Sequence, residues 1–250
     1  MIRTLRVATY NIHKGFSHGW RRVILPELRE QLRMLGADIV FLQEVMGAHH
    51  GHAQRYTKWP RQSQYEFLAD ATWCDFAYGR NALYTGGHHG NAVLSRFPIE
   101  RWDNEDISAH RYEHRGLLHC ELRVAGWETR LHCICVHLGL FTRSRKKQYT
   151  ALGDRIRDLV PDHAPLIVAG DFNDWRAHAD REFARQLGLQ EAFEVAHGKL
   201  ARSYPSFLPL LRLDRIYARG FRIEHAEVCT QQRRTGVSDH VALSATLRRT

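Results

Sequence analysis

The chain has 250 residues, five cysteines and a formal net charge of +9, carried by 36 basic against 27 acidic residues. At this length roughly three quarters of the unfolded surface can be buried, so a core forms without disulfides, and the five thiols read as reduced core cysteines. No run of about 18 apolar residues marks a membrane span. The first residues, MIRTLRVATYN, have strand patterning and lack the apolar core of a signal peptide, so a cytoplasmic monomer is expected. The positive charge permits a polyanionic partner such as nucleic acid or an anionic membrane. However, 31 of the 36 basic residues are arginine, a bias that genome composition alone can produce.

In chain order, two segments share one plan. The first is a strand at 5–11, a helix at about 22–35 and a strand at 38–44. Leu25, Leu28, Leu32 and Leu35 form its apolar stripe, and Gly36 is placed to end the helix. The second is a strand at 129–137, a helix at about 144–159 and a strand at 165–171, with Tyr149, Leu152, Ile156 and Leu159 as the stripe. Short strands are expected near 76–80, 91–96, 99–106, 117–124, 213–218, 221–229 and 240–247, and a further helix near 178–187. Cys133 and Cys135 fall on one face of their strand. Strands outnumber helices and no linker-like stretch interrupts them. The pattern predicts an α/β domain, two sheets packed face to face with helices outside, spanning the whole chain.

The apolar strands end in chemistry. VATYN ends at Asn11, IVFLQE at Glu44, ICVH at His137, and LIVAGDFN at Asp171 and Asn173. RLD places Asp214 at the start of its strand, and SDH supplies Asp239 and His240. Ligand sites of layered α/β folds gather at such strand edges. Any one of these residues alone reads as a cap, a turn or a packed side chain. Together, carboxylates, carboxamides and imidazoles with no Ser or Cys nucleophile suit a hard divalent cation beside a general base.

The ordered set TYNIHKG, FLQEV, GNAVLSRFPI, VHLG, GDFND, RLDRIY and SDHVAL resembles the successive motifs of the endonuclease/exonuclease/phosphatase superfamily. The resemblance covers residues 5–247. It implies a four-layer, DNase I-like α/β/β/α sandwich and hydrolysis of phosphoesters with Mg²⁺ or Mn²⁺. Glu44 is similar to the family's metal-binding glutamate, with Asn11 and Asp239 beside it. Asp171 would position or deprotonate the attacking water, and Asn173 would bind a phosphate oxygen. His240 matches the SDH histidine with Asp214 as its orienting carboxylate, and His137 resembles the histidine at the scissile phosphate. Asp171 and Asn173, two apart on an extended strand, are expected on one side. Which of His240 and Asp171 takes the proton, and whether one metal or two is held, stay open.

Several segments depart from the family or add weaker signals. In GGHHGNAVLS, His88 takes about the place of a tyrosine in AP endonucleases and is a candidate substrate contact, as is Arg143 at the start of the second helix. Residues 47–59 carry three histidines in four positions, which read as a solvated loop or a metal-binding lid. Phe207, Leu208, Leu210 and Leu211 lie in a Pro-bounded loop that reads first as core packing and second as a lipid-facing element. Room for the DNA-penetrating insertions of AP endonucleases is lacking. The expected function is therefore a metal-dependent phosphodiesterase acting on nucleic acid. The alternative is the same chemistry on phospholipid or a small phosphoester, and the remote alternative a silent binding module.

Overall fold

The computed structural model describes residues 2–17, 22–70, 72–175, 180–230 and 236–250. Twelve strands make two six-stranded sheets. The first contains β1 (Thr4–Asn11), β2 (Ile39–His49), β3 (Asp75–Tyr84), β4 (Gly87–Ser95), β11 (Phe221–Val228) and β12 (Leu243–Arg249), in the order β11-β12-β1-β2-β4-β3. The second contains β5 (Ile99–Asp106), β6 (Gly116–Leu122), β7 (Leu131–His137), β8 (Leu166–Asp171), β9 (Gln190–Glu191) and β10 (Asp214–Arg219), in the order β5-β6-β7-β8-β10-β9. One parallel pair sits in each sheet, β1 with β2 and β7 with β8. Helices α1 (Leu25–Leu35) and α4 (Thr142–Leu159) make those two crossovers, as the repeated strand–helix–strand plan predicts.

Strand alternation builds the layers. Leu5 and Val7 face the other sheet, with Ile39, Phe41, Cys120, Cys133, Cys135, Ile167 and Ala245. Ala8 and Tyr10 face α1, where Leu25, Leu28, Leu32 and Leu35 all lie buried. Tyr149, Leu152 and Ile156 of α4 cover the outer face of the second sheet. The fourth residue of that stripe, Leu159, stays half exposed because the helix ends there. The result is the four-layer α/β/β/α sandwich. No helix among the described residues is long and apolar enough to cross a membrane. All five cysteines are free thiols: Cys120, Cys133 and Cys135 are core residues as expected, but Cys74 is exposed and Cys229 half buried.

Three short helices escape sequence reading: α2 (His50–Arg55), α3 (Gln64–Ala69) and α6 (Ala192–His197). Each is six residues, too short for a periodic stripe. Helix α5 (Asp180–Gln186) matches the helix expected at 178–187, whose first two positions lie outside the described residues. Among the described residues, the histidines of 47–59 join no cluster of three metal-ligating groups. His49 and His52 stack on each other at 3.5 Å, and His52 packs with Phe16 and Trp59.

Candidate active site

The site forms where three adjacent strands of the second sheet reach the same edge. Parallel pairing puts His137 beside Asp171, and antiparallel pairing puts Asp214 on its other side. The close approach depends on Gly170, which has φ +153°; a Cβ there would fall 2.0 Å from the Val136 carbonyl oxygen. From the first sheet, Asn11 reaches across the sandwich, and its Nδ2 donates to Asp171 Oδ2 at 3.1 Å. His137 Nε2 and His240 Nε2 lie 3.6 and 3.7 Å from that same oxygen. Three groups, from β1, β7 and the β11–β12 loop, thus meet at one carboxylate oxygen of β8.

His240 is held by Asp214, whose Oδ2 accepts from Nδ1 at 2.9 Å. Burial opposes an imidazolium here. The charge of Asp214, its hydrogen bond and the Asp171 carboxylate outweigh that cost and raise the His240 pKa to about 10. Asp171 is fully enclosed, and burial, with Asp214 nearby, raises its carboxyl to about 6 despite the opposing pull of His240. His137 is also enclosed; burial, then Arg115, holds its pKa well below the ordinary range, so its ring is neutral.

Glu44 owes its position to an irregularity. The register of β2 against β4 slips between Leu42 and Val45, and Glu44 sits in that slip with φ +56°. A bulge of this kind re-aims a side chain, at a backbone cost of about 1–3 kcal/mol. The turn after β1 complements it. Lys14, also left-handed at φ +56°, brings Nζ to 3.3 Å from Glu44 Oε2. Buried Gln64 of α3 ties the two together, donating to the Lys14 carbonyl at 2.8 Å and accepting from Met46 N–H at 2.8 Å. Burial pushes the Glu44 carboxyl up, but His137, Lys14, His13 and His240 bring it down to about 2. Because His137 is neutral near pH 7, Lys14 is the more lasting cation at that carboxylate.

Asn11 neighbours Glu44 through the β1–β2 register, in which Asn11 pairs with Gln43. Asp239 is tied in by Ser238, whose hydroxyl donates to the Asn11 carbonyl at 2.7 Å and approaches Asp239 Oδ1 at 3.4 Å. Asp214 Oδ1 is a buried oxygen with no hydrogen bond among the described residues, and buried Glu44 Oε2 has the Lys14 ammonium at 3.3 Å but no hydrogen bond of good geometry. Buried carboxylate oxygens short of donors fit a hard, oxygen-seeking cation. Asp171, Asp214 and His240 also put one donor atom each within 4.8 Å of one another. In that trio His240 Nδ1 is already committed to Asp214, so the Glu44 side suits a cation better and the trio suits proton transfer.

Two placements, those of Asn173 and His88, differ from expectation. Asn173 does not continue the strand. β8 ends at Asp171, and Asn173 turns left-handed at φ +50°; its Nδ2 donates to the Leu138 carbonyl at 2.8 Å while its N–H donates to Asp171 Oδ1 at 3.0 Å. The two are brought together by a turn and not by strand alternation. His88 turns to Tyr78, with Nδ1 2.9 Å from the hydroxyl, and its ring covers Gly47. The next residue, His89, couples instead to Lys14 and Glu44, and burial presses its pKa to about 4. β4 begins at Gly87, so both histidines are strand residues and alternation sends them to opposite faces. Arg143 is exposed on the first turn of α4, whereas Arg145 is buried. Arg145 donates to the Leu140 and Gly139 carbonyls at 2.6 and 3.3 Å and lies 3.5 Å from Asp174 Oδ1. Fully buried Arg215 donates to the Asp174 carbonyl at 3.0 Å. These two arginines brace the loops that follow His137 and Asp171. Lys14 and Asp174 stand inside motifs the sequence singles out; the burial of Arg145 and Arg215 leaves no local signal.

Two mixed sheets closing on an edge of this composition define the DNase I-like architecture. The chain belongs to the endonuclease/exonuclease/phosphatase family, whose model matches residues 8–240. It is 50% identical over 242 residues to "Uncharacterized protein YbhP" of Escherichia coli K12, covering 97% of this chain and 95% of that protein. It is 36% identical to a UPF0294 protein of Yersinia pestis, over 94% of this chain and 80% of that one. Among solved structures, an endonuclease/exonuclease/phosphatase from Beutenbergia cavernae superposes with TM-score 0.81 at 22% identity, covering 99% of this chain and 72% of that one. Truncated Caenorhabditis elegans TDP2 superposes with TM-score 0.71 at 19% identity, covering 98% and 97%.

Proposed function

We propose that this protein is a divalent-metal-dependent phosphodiesterase. The observation that carries the reading is the convergence of Asn11, His137 and His240 on Asp171 Oδ2, at 3.1, 3.6 and 3.7 Å. A phosphodiester is anionic and repels a nucleophile until its charge is offset. Glu44, Asn11 and Asp239 would hold Mg²⁺ or Mn²⁺, which when bound neutralises phosphate charge and polarises the P–O bonds.

The chain's own groups divide the remaining work. Asp171, with its pKa near 6, is ionised at neutral pH yet basic enough to take a proton from water. His240, kept as imidazolium by Asp214, places positive charge beside the phosphorus as negative charge builds on its oxygens. That assignment favours Asp171 over His240 as the general base. Neutral His137 can donate a hydrogen bond to a phosphate oxygen without adding charge. Asn173 keeps one Nδ2 hydrogen beyond its bond to Leu138 for a second oxygen.

The net charge of +9 supports nucleic acid as a substrate. The strong exposure of Phe207, Leu208 and Leu210 next to the site supports a second reading, in which the diester belongs to a phospholipid. The test is hydrolysis of supercoiled plasmid, single-stranded RNA, bis-p-nitrophenyl phosphate and phospholipid vesicles, with Asp171→Asn and EDTA as controls. Activity that survives EDTA or the substitution refutes the proposal.

A further inference from the structure

The surface around the site is unlike the rest of the molecule. Among the described residues, fifteen large apolar side chains are exposed, and seven of them lie on three loops at the catalytic end of the sandwich. The other eight are scattered over the N-terminal residues, α1, β3, β5, the β5–β6 loop, α4 and α6. The loop before β10 contributes Phe207, Leu208, Leu210 and Leu211, the first three exposed by 70, 57 and 56%. The loop after β7 contributes Leu140 and Phe141, and the loop after β8 Trp175. The sequence reads Phe207, Leu208, Leu210 and Leu211 first as core packing; the structure turns them outward.

These side chains are displayed on braced backbone. Leu210 and Leu211 N–H both donate to the Tyr204 carbonyl at 2.8 Å, and Ser206 N–H donates to the Asp239 carbonyl at 2.7 Å. The Tyr204 ring packs on His240 at 5.0 Å. The apolar tip is therefore built onto the catalytic loop itself. On the other side, Arg145 fixes the Leu140 carbonyl and lies 5.3 Å over the Trp175 ring. An exposed patch of this kind marks an interaction surface.

Charge selects the occupant. Arg143, Lys146 and Lys147 stand on the first turns of α4 behind Phe141, and Arg202 and Arg212 flank the apolar tip. None of the five is in an ion pair among the described residues. Apolar tips set among cations match an anionic bilayer, where the former enter the acyl boundary and the latter meet the headgroups. Nucleic acid would also meet the cations and stack on aromatic rings, but leucines at 140, 208, 210 and 211 offer no stacking face.

We propose that the catalytic end docks on anionic phospholipid bilayers through the 204–212 loop, the 138–141 loop and Trp175. Resting on the phosphodiesterase reading, the scissile diester is then that of a phospholipid headgroup held at the interface.

The test is co-sedimentation of the full chain with vesicles of phosphatidylcholine alone and of phosphatidylcholine with phosphatidylglycerol. The expected result is binding to the anionic vesicles, weaker binding to the neutral ones, and unchanged binding by Asp171→Asn. Leu208→Glu/Leu210→Glu should lower partitioning by roughly tenfold or more, because losing insertion of even one leucine costs about that factor. Leu208→Ser/Leu210→Ser should act in the same direction, and thermal melting checks that both variants fold. Wild-type protein left in the supernatant with every vesicle overturns the proposal. So does a leucine variant that binds vesicles normally but loses binding to single-stranded oligonucleotide, or loses a dimer on size exclusion. Vesicle binding without hydrolysis of any diester would overturn the phosphodiesterase reading and leave the docking standing. Hydrolysis of bis-p-nitrophenyl phosphate without vesicle binding would do the reverse.

Discussion

Asp214→Asn isolates the source of charge on His240. The Asp214 carboxylate accepts from His240 Nδ1 at 2.9 Å, and both residues are buried. The His240 pKa stands at about 10 against an ordinary 6.5, a gap of about 3.5 units; at about 1.4 kcal/mol per unit, the surroundings favour the imidazolium by on the order of 5 kcal/mol. Asparagine keeps the shape and can still accept from Nδ1, but it removes the largest favourable charge. Burial then counts against the cation with only the other acids opposing it, and the pKa falls by several units. At neutral pH the ring becomes largely neutral. We expect kcat on bis-p-nitrophenyl phosphate with Mg²⁺ to fall by about 10²–10⁴. Stability carries a second signature. A pKa raised in the folded state stabilises fully below the unfolded value, and this is lost as pH rises through the folded one. The wild-type urea midpoint should therefore decline between about pH 6.5 and about pH 10, and the variant should lack most of that slope. Ring nitrogen chemical shifts of His240 report the proton directly. A wild-type ring that titrates near 6.5, or a variant with neutral His240 and a rate within about twofold of wild type, would refute the reasoning.

Three further outcomes follow from the same geometry. With Asp171 raised to about 6 and required as carboxylate, kcat/KM should fall toward tenfold per pH unit below that value; a rate flat down to about pH 4.5 would point to another base. Arg145→Ala strips donors from the Gly139 and Leu140 carbonyls and a counter-charge from Asp174, so urea titration should show a loss of about 3–5 kcal/mol. Arg143→Ala, at an exposed site, should change stability by less than about 0.5 kcal/mol in the same assay. Gly170→Ala would place a methyl 2.0 Å from the Val136 carbonyl oxygen, so β7 and β8 must separate; circular dichroism should show a protein that melts far lower or does not fold.

Much of this was legible in the chain because it is local. Strand and helix periods, Gly36 after the first helix, and polar residues closing apolar runs all depend on neighbours a few positions apart. They located Asn11, Glu44, His137, Asp171, Asp214 and His240 and allowed the family's motifs to be read in order. The misplacements came where one residue of register or a turn decides the outcome. His88 and His89 differ by one position on a strand that starts earlier than expected, and alternation gives only His89 to the Glu44 side. Arg143 stands at the start of its helix, where the sequence puts it, but the burial of Arg145 two positions on follows from helix phase against the loops and was not legible. Asn173 needed a left-handed turn that its type permits but does not announce. The Pro-bounded leucines could pack inward or outward with equal local sense, since apolar character does not say which surface is left to cover.

What the sequence determined by itself is therefore the layered α/β pattern and the inventory of chemical groups at strand ends. Their mutual distances belong to the tertiary structure alone, since Asn11 and Asp171 meet at 3.1 Å across 160 residues of chain. So do the protonation states. An imidazole near pKa 10 and a carboxyl near 6 arise from burial and from neighbours supplied by other strands, and neither exists until both sheets have closed on the same edge.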